Sequence, residues 1–320
     1  MQRKNNRNLT SLLNLLSDGK PHDGNVLGEH LGLTRAAVWK MIQKLQGLGV
    51  LVQSIKGQGY VLKEPLVLLD AERIQAGLTQ PVALSVFESI ASTNDYLLNE
   101  PRTKTPSVCV AEMQTAGRGR LGRAWVSPFG KNIYCSLRFH FKKDISELSG
   151  LSLMVSLSIL KTLKQLKLPL FVKWPNDVVC DQGKLSGTLI ELKAESNGGC
   201  EAVIGIGINV NMLPKGVKGI TQPWVSLRQL SGDYHDRNEI LSELINTLID
   251  DLNQFEAKGF SVFQKAWIKH HYHAHQPVTL SFAETMVQGE AIGVNELGHL
   301  LLKLSNGKTQ AFASGDVSLR

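Results

Sequence analysis

The chain has 320 residues, is 42% hydrophobic and carries a net charge of +7. This length and composition predict a sizeable core divided over two or three domains. The four cysteines are far apart and form no CxxC pair, which excludes a disulfide framework or a zinc knuckle and favours a reducing compartment. Because the N-terminal sequence matches neither a signal peptide nor a membrane span, we expect a cytoplasmic protein without a membrane partner.

The positive charge is concentrated at the N-terminal end of the chain. Residues 1–65 contribute +5 of the net charge, whereas the remaining 255 residues contribute only +2. This asymmetry indicates an anionic partner for the first segment, and nucleic acid is the leading candidate.

Residues 1–65 have the pattern of three helices followed by a hairpin. Leucines at residues 9–16 and apolar residues at 26–31 recur at helical spacing, and Thr34 is a favourable N-cap for a third helix that runs to about Leu48. Two short strands, at residues 50–55 and 60–62, flank a Lys-Gly-Gln-Gly turn. This order predicts a winged helix-turn-helix, with a plain three-helix bundle as the alternative. The candidate DNA-contacting residues are Thr34, Arg35, Ala36, Trp39, Lys40, Gln43 and Lys56. For Trp39, packing against the hairpin or a neighbouring domain is the competing interpretation.

The rest of the chain reads as an α+β domain followed by a small β domain. Strand patterns occur at residues 82–87, 108–111, 133–139, 171–174, 187–192 and 203–210, and helical patterns at residues 148–166 and 237–255. Residues 275–320 contain short apolar strands separated by turn residues, which predicts a small β-barrel.

Residues 117–123, with the sequence GRGRLGR, form the most informative segment, which we call the arginine loop. Its three arginines and three glycines are suited to surround a phosphoryl group. Its glycines also fit a dinucleotide-binding GxGxxG, but that motif requires a buried strand before it and a helix after it, and neither pattern is present. A solvated basic loop is the remaining alternative, and Leu121 receives no role.

Three other polar islands interrupt the strand patterns of the central segment. In the first, ESIASTND at residues 88–95, Ser92 or Thr93 is placed to cap the next helix. In the second, KWPND and GKLSG at residues 173–177 and 183–187 put two lysines and Asp177 beside a sheet end, where the carboxylate could hold magnesium or a ribose hydroxyl. The third, GIGINVN at residues 205–211, has glycines that allow close backbone approach to a ligand.

Taken in this order, the STN, GRGRLGR, KWPND, GKLSG and GIGINVN motifs closely resemble those of bifunctional biotin-protein ligases and biotin operon repressors. The resemblance covers the whole chain. It implies an α+β multidomain protein with a winged helix-turn-helix (residues 1–65), a class II synthetase-like catalytic domain (residues 66–274) and a C-terminal SH3-like β-barrel (residues 275–320).

The activity implied by this resemblance is a two-step ligation. Biotin and MgATP would give biotinyl-5′-adenylate, and a lysine of the biotin carboxyl carrier protein of acetyl-CoA carboxylase would then take the biotin. The adenylate-bound homodimer would repress transcription at operator DNA. The alternatives are a ligase without operator binding, a catalytically silent ligand-sensing repressor, and a lipoate ligase, since lipoate ligases share the catalytic fold.

The resemblance also assigns roles to individual residues. Catalysis is assigned to Arg118, Arg120, Lys184 and Asp177, because cationic groups must stabilise the negative charge that accumulates when a carboxylate attacks an α-phosphate. Biotin binding is assigned to Ser92, Thr93, Asn94, Gln114, Gly117, Arg118, Gly119, Arg120, Trp125, Lys184 and Gly187. Binding of ATP or the adenylate is assigned to Arg118, Arg120, Arg123, Asn176, Asp177, Lys184, Asn209 and Trp224. Magnesium would be held through the substrate phosphates, with Asp177 as a possible ligand.

Three further expectations concern the arginine loop, Trp224 and the histidines near residue 270. The arginine loop is expected to be mobile when empty and to close over the adenylate, with Trp125 helping to close it. Trp224 is expected either to stack on the adenine or to be an ordinary buried tryptophan. The histidines at residues 270–275 are predicted to form a solvated helix end rather than a metal site, because no carboxylate or cysteine pattern accompanies them.

Overall fold

The N-terminal segment folds as three helices and a two-stranded hairpin. The computed structural model describes residues 2–195, 198–215, 217, 219–282 and 285–319, with the backbone alone for residues 2–7. Its first elements are α1 (Gln2–Leu16), α2 (Gly24–Leu31), α3 (Arg35–Gly47), β1 (Val52–Ile55) and β2 (Gly59–Leu62). β1 and β2 pair antiparallel. Thr34 caps α3 as predicted, because its side chain accepts a hydrogen bond from the Ala37 N–H (3.2 Å). The predicted winged helix-turn-helix is confirmed.

This first domain is packed onto the second through a shared apolar cluster. Leucines of α1 and the buried face of α3, which includes Val38 and Ile42, form its centre. Leu66 and Phe129, which follow the first domain in the chain, belong to the same cluster. The helix-turn-helix therefore rests on the central domain.

The central domain is a mixed sheet covered by helices. Its strands are β3 (Ala83–Phe87), β4 (Ser107–Ala111), β5 (Ile133–Phe141), β6 (Phe171–Lys173), β7 (Asp177–Cys180), β8 (Gly183–Ala194) and β9 (Cys200–Ile208). They lie in the order β3-β4-β5-β9-β8-β7-β6. β3 and β4 pair parallel, and the other neighbours pair antiparallel. The helices are α4 (Ala71–Ala76), α5 (Thr93–Asn99), α6 (Leu151–Leu163), α7 (Leu227–Ser231), α8 (Arg237–Lys258) and α9 (Ser261–Lys269).

The helices α6 and α8 supply most of the apolar cover of this sheet. The helical pattern predicted at residues 237–255 falls on α8, whose apolar residues Leu241, Leu244, Ile245 and Leu248 are buried in the main core. The predicted helix at residues 148–166 is divided, because Gly150 adopts a positive φ of 82° immediately before α6. None of the helices in the described ranges combines the length and apolar character that crossing a membrane requires.

The C-terminal segment is a five-stranded antiparallel sheet. Its strands are β10 (Pro277–Phe282), β11 (Thr285–Val294), β12 (Leu300–Lys303), β13 (Thr309–Phe312) and β14 (Asp316–Leu319). They lie in the order β13-β12-β11-β10-β14. The Trp174 indole N–H donates to the Gly298 carbonyl (3.1 Å), which joins this sheet to the edge of the central one. The predicted α+β multidomain class is confirmed.

The prediction of a solvated end at residues 270–275 is wrong for two of its histidines. His271 and His273 are only 5% and 2% exposed. After α9 the chain turns back onto β6, where Val172 N–H donates to the His270 carbonyl and Tyr272 N–H donates to the Val172 carbonyl (both 2.9 Å). This return places the His271 ring against Trp267, with their centroids 4.6 Å apart.

Candidate functional site

A cavity of about 260 Å³ opens between the central sheet, the arginine loop and the C-terminal sheet. Its walls come from β6 to β9, the start of α5, the arginine loop and the start of β14. The predicted residues that line it are Ser92, Thr93, Asn94, Gln114, Arg118, Gly119, Arg120, Arg123, Trp125, Asn176, Asp177, Lys184 and Gly187. The structure therefore brings the four sequence islands together.

One end of the cavity is a buried polar network. Ser92 caps α5, and Gln114 Oε1 of the side-chain amide accepts hydrogen bonds from the N–H (2.9 Å) and the hydroxyl (3.1 Å) of Thr93. Ser136 Oγ lies 2.5 Å from Asn94 Oδ1 and 2.7 Å from Thr93 Oγ1. Because these groups hold one another in place, this end presents fixed donors and acceptors to a ligand.

Glycines of β9 make room for two of these site residues. A Cβ at Gly205 would overlap the Asn94 amide, and a Cβ at Gly207 would overlap the Trp125 ring. The Trp125 indole N–H is buried and has no hydrogen-bond partner in the described part of the chain. Trp125 therefore lines the cavity and keeps an indole N–H that can donate a hydrogen bond to a ligand.

The other end of the cavity is cationic. Lys184 Nζ forms an ion pair with Asp177 Oδ1 (2.8 Å) and lies 5.6 Å from the centre of the Trp125 ring. Arg120 Nη1 donates to Asn176 Oδ1 (3.3 Å). Because arginine and lysine side chains converge on one space, an anionic ligand group would be favoured there.

The arginine loop folds back on itself as a small hairpin. Gly119 N–H donates to the Arg123 carbonyl (2.7 Å), and Trp125 N–H donates to the Gly117 carbonyl (2.9 Å). Leu121 sits at the tip with a φ of 55° and a side chain that is 77% exposed. The expected mobility of the empty loop stays a prediction.

Two titratable groups in the cavity wall, the half-buried Lys173 and the buried Cys135, have shifted pKa values. Burial lowers the pKa of Lys173 from its usual value, although Asp177 acts in the opposite direction. Burial raises the pKa of Cys135 to about 12, so its thiol is a neutral wall rather than a nucleophile.

Three predicted site residues lie beside the cavity rather than in its wall. Of the described residues, Gly117, Asn209 and Trp224 are absent from the lining. The Asn209 side-chain amide donates to the Lys184 backbone carbonyl (3.3 Å), so Asn209 contacts the backbone of the lysine rather than the cavity. Trp224 is half-buried in a segment that pairs with Lys184, while nearby Gln222 lines the cavity instead.

Several lining residues were missed. Asp316 enters from β14 and forms an ion pair with Arg123 (2.8 Å), and Val317 follows it. No local sequence signal separates an aspartate in the last strand from any other surface charge. Lys173 and Thr188 also line the cavity. Lys173 could have been found, because it begins the KWPND motif.

The candidate DNA-contacting residues lie on the surface of the first domain. Thr34, Arg35, Ala36, Trp39, Lys40, Gln43 and Lys56 are all exposed. Trp39 is 50% exposed on α3. The outer face of α3 and the hairpin turn therefore present basic and polar side chains to the solvent.

Comparison with known proteins assigns each part of the chain. Family models match for the HTH domain at residues 8–61, the biotin/lipoate A/B protein ligase family at residues 86–209 and the biotin protein ligase C-terminal domain at residues 276–320. The chain is 38% identical over 312 residues to the bifunctional ligase/repressor BirA of Salmonella typhimurium, an alignment that covers 97% of each protein. The chain belongs to the BirA family.

Other members of the BirA family and a solved structure agree with this assignment. BirA of Escherichia coli is 37% identical over 319 residues, covering 99% of this chain and 98% of that protein. The biotin protein ligase from Aquifex aeolicus, solved in complex with biotin and ATP, superposes with a TM-score of 0.64 at 30% identity. It covers 74% of this chain and 98% of its own length. The resemblance inferred from the motifs is confirmed.

Proposed function

We propose that this protein is an ATP-dependent biotin-protein ligase that also acts as a transcriptional repressor. The observation that carries the proposal is one cavity with a fixed polar end and a cationic end, in a chain of the BirA family. In the first step, the biotin carboxylate attacks the α-phosphorus of ATP and pyrophosphate leaves. In the second, a lysine amine of the biotin carboxyl carrier protein attacks the acyl carbon and AMP leaves.

The polar end suits the head group of biotin. Biotin is mostly apolar with one ureido group, and such ligands bind in slots that offer a few fixed hydrogen bonds. Thr93, Asn94 and Gln114 are already ordered by their mutual contacts. The unpartnered indole N–H of Trp125 adds a further donor in the same cavity.

The cationic end suits the phosphates of ATP and of the adenylate. Arg120 and Lys184 line it, Arg118 lines the same cavity, and all three would stabilise the charge that builds up during attack on phosphorus. Within the described residues, no three His, Cys, Asp or Glu side chains are grouped closely enough to hold a metal ion by themselves. Asp177 as a single carboxylate fits Mg²⁺ that is carried mainly by the substrate phosphates, where it would neutralise phosphate charge.

The first domain supports a repressor role. The exposed face of α3 carries Arg35, Lys40 and Gln43, which are suited to contact a major groove. Two such domains in an adenylate-bound homodimer would contact two half-sites. Ordering of loops by the adenylate would lower the entropy cost of forming that dimer.

Mass spectrometry of trapped adenylate tests the ligase. The pure protein is incubated with MgATP and either biotin or lipoate, and the bound acyl-adenylate is identified by its mass. We expect biotinyl-5′-adenylate only, followed by transfer to a carrier-protein lysine. A lipoyl-adenylate would instead support a lipoate ligase, and absence of both would refute catalysis.

DNA selection tests the repressor separately. Protein with and without trapped adenylate is used to select DNA duplexes from a random pool. The binding constant for the selected duplexes is then measured at several salt concentrations. We expect selection only with adenylate, and log K falling with a slope of about −0.9 for each phosphate contacted. A salt-independent response would argue for a ligase without operator binding.

A further inference from the structure

Arg118 of the arginine loop is held by two carboxylates at the rim of the cavity. Its Nη2 atom lies 2.5 Å from Asp95 Oδ1 and 3.7 Å from Glu191 Oε1. The Arg118 side chain is 45% exposed, and Arg118 also lines the cavity. The arginine therefore lies between these two acidic groups and the space that a ligand would fill.

The two acidic residues lie on elements outside the arginine loop. Asp95 lies in the first turn of α5, where its N–H donates to Ser92 Oγ (3.3 Å) and its carbonyl accepts from Asn99 (2.7 Å). Glu191 lies on β8 and accepts a hydrogen bond from the Asn94 amide (2.7 Å). The two acidic residues therefore belong to α5 and β8, and Arg118 contacts them from the arginine loop.

We propose that Asp95 competes with the anionic group of the ligand for Arg118 and so sets how firmly the loop holds the reaction intermediate. This inference rests on the proposed ligase function. A phosphoryl group bound by Arg118 would lie near the Asp95 charge, which repels it and occupies one of the donors. Both effects weaken anion binding and favour opening of the loop.

Because Glu191 also contacts Arg118, the competition by Asp95 can be removed without removing every contact that positions Arg118. When Asp95 is replaced by asparagine, Glu191 still faces Arg118 Nη2 and is itself still held by Asn94. The arginine therefore keeps its place at the rim, but one of its two opposing charges is gone. Anion binding should become tighter rather than weaker.

The test compares Asp95→Asn with a matched control at the C-terminal end of the same helix. Glu100→Gln removes the same charge from the exposed residue that follows α5. Binding of inorganic pyrophosphate is followed by intrinsic tryptophan fluorescence, and release of preformed biotinyl-5′-adenylate is followed by rapid filtration. Because exposed ion pairs contribute little, we expect Asp95→Asn to tighten pyrophosphate binding and to slow adenylate release by roughly two- to fivefold. Glu100→Gln should match wild type in both measurements.

A double-mutant cycle shows whether the effect passes through Arg118. In an Arg118→Gln background only the direct repulsion between Asp95 and the anion remains, so Asp95→Asn should change both measurements by clearly less than it does in wild type. Faster release from Asp95→Asn, or an equal effect in both backgrounds, would overturn the proposal. If wild type forms no adenylate, the ligase function fails, while the pyrophosphate measurements still decide whether Asp95 competes for Arg118.

Discussion

Two arginine–carboxylate pairs in this molecule show how burial decides what a charge does. Arg237 on α8 is fully buried, and its guanidinium donates to Glu112 Oε2 (2.7 Å), the Asn132 carbonyl (3.2 Å) and the Val67 carbonyl (2.7 Å). Arg118 of the arginine loop is nearly half exposed, and its carboxylate partners Asp95 and Glu191 are each about one-third exposed. The first pair ties the segment before α4 to the core of the central domain, whereas the second can exchange its partner for a ligand.

Removing the buried arginine should have the largest effect on folding. Arg237→Met would leave the Glu112 carboxylate, which is 3% exposed, buried without a countercharge. Such a change costs about 3–5 kcal/mol of unfolding free energy. Urea unfolding followed by circular dichroism measures it.

The control for this prediction is a more exposed ion pair at the N-terminus of α8, the helix that begins with Arg237. Arg73 pairs with Asp236 (2.6 Å) and its side chain is 48% exposed. Arg73→Met should cost less than about 1 kcal/mol. Equal losses from the two variants would show that burial does not distinguish these pairs.

Removing the site lysine should have a large effect on chemistry and a small one on folding. Lys184→Gln takes away the cation that lies between Asp177 and the cavity. Loss of one such electrostatic contact lowers rates by roughly 100-fold or more, so we expect that fall in adenylate formation. Rapid quench with labelled ATP measures the rate, and Lys164→Gln, an exposed lysine after α6, is the control. A Lys184→Gln rate within threefold of wild type would remove this residue from the mechanism.

Removing the exposed arginine should act mainly on retention of the intermediate. Arg118→Gly deletes a charged donor to the adenylate, and a hydrogen bond to a charged group contributes about 1.5–3 kcal/mol. We expect adenylate release to be at least roughly tenfold faster, with an unfolding midpoint close to that of wild type. Rapid filtration of preformed adenylate measures this, and an unchanged release rate would contradict the role of Arg118.

The sequence predicted the elements and the site islands because both depend on local patterns. The N-cap at Thr34, the α8 stripe and the polar residues of the STN and KWPND motifs are signalled by their immediate neighbours. The Arg237–Glu112 pair and Asp316 were missed, because each depends on residues more than 100 positions apart coming together. The histidine run was misread for the same reason, since the return of the chain onto β6 has no local signal.

The buried histidines His271 and His273 provide the smallest expected effect, which is a change in unfolding free energy with pH. Burial lowers the pKa of His271 and of His273 to about 4, with the neighbouring histidines and Lys173 as secondary causes. The unfolded chain binds these protons near pH 6.5 and the folded chain does not, so stability falls as the pH drops from 6.5 towards 4. At pH 5.5 the loss is about 1 kcal/mol for each histidine.

Replacing His271 by a residue with a non-titrating ring isolates its contribution to the pH dependence of stability. His271→Phe keeps an aromatic ring against Trp267 while removing one protonation site. Between pH 7.5 and pH 5.5, the variant should lose about 1 kcal/mol less unfolding free energy than wild type loses. Urea unfolding at both pH values measures this difference. His30→Gln changes an exposed histidine of α2 and should show no such difference. If His271→Phe loses as much stability as wild type at pH 5.5, the protonated ring is tolerated where it lies, and burial there does not disfavour a charge that lacks the kind of partner Glu112 gives Arg237.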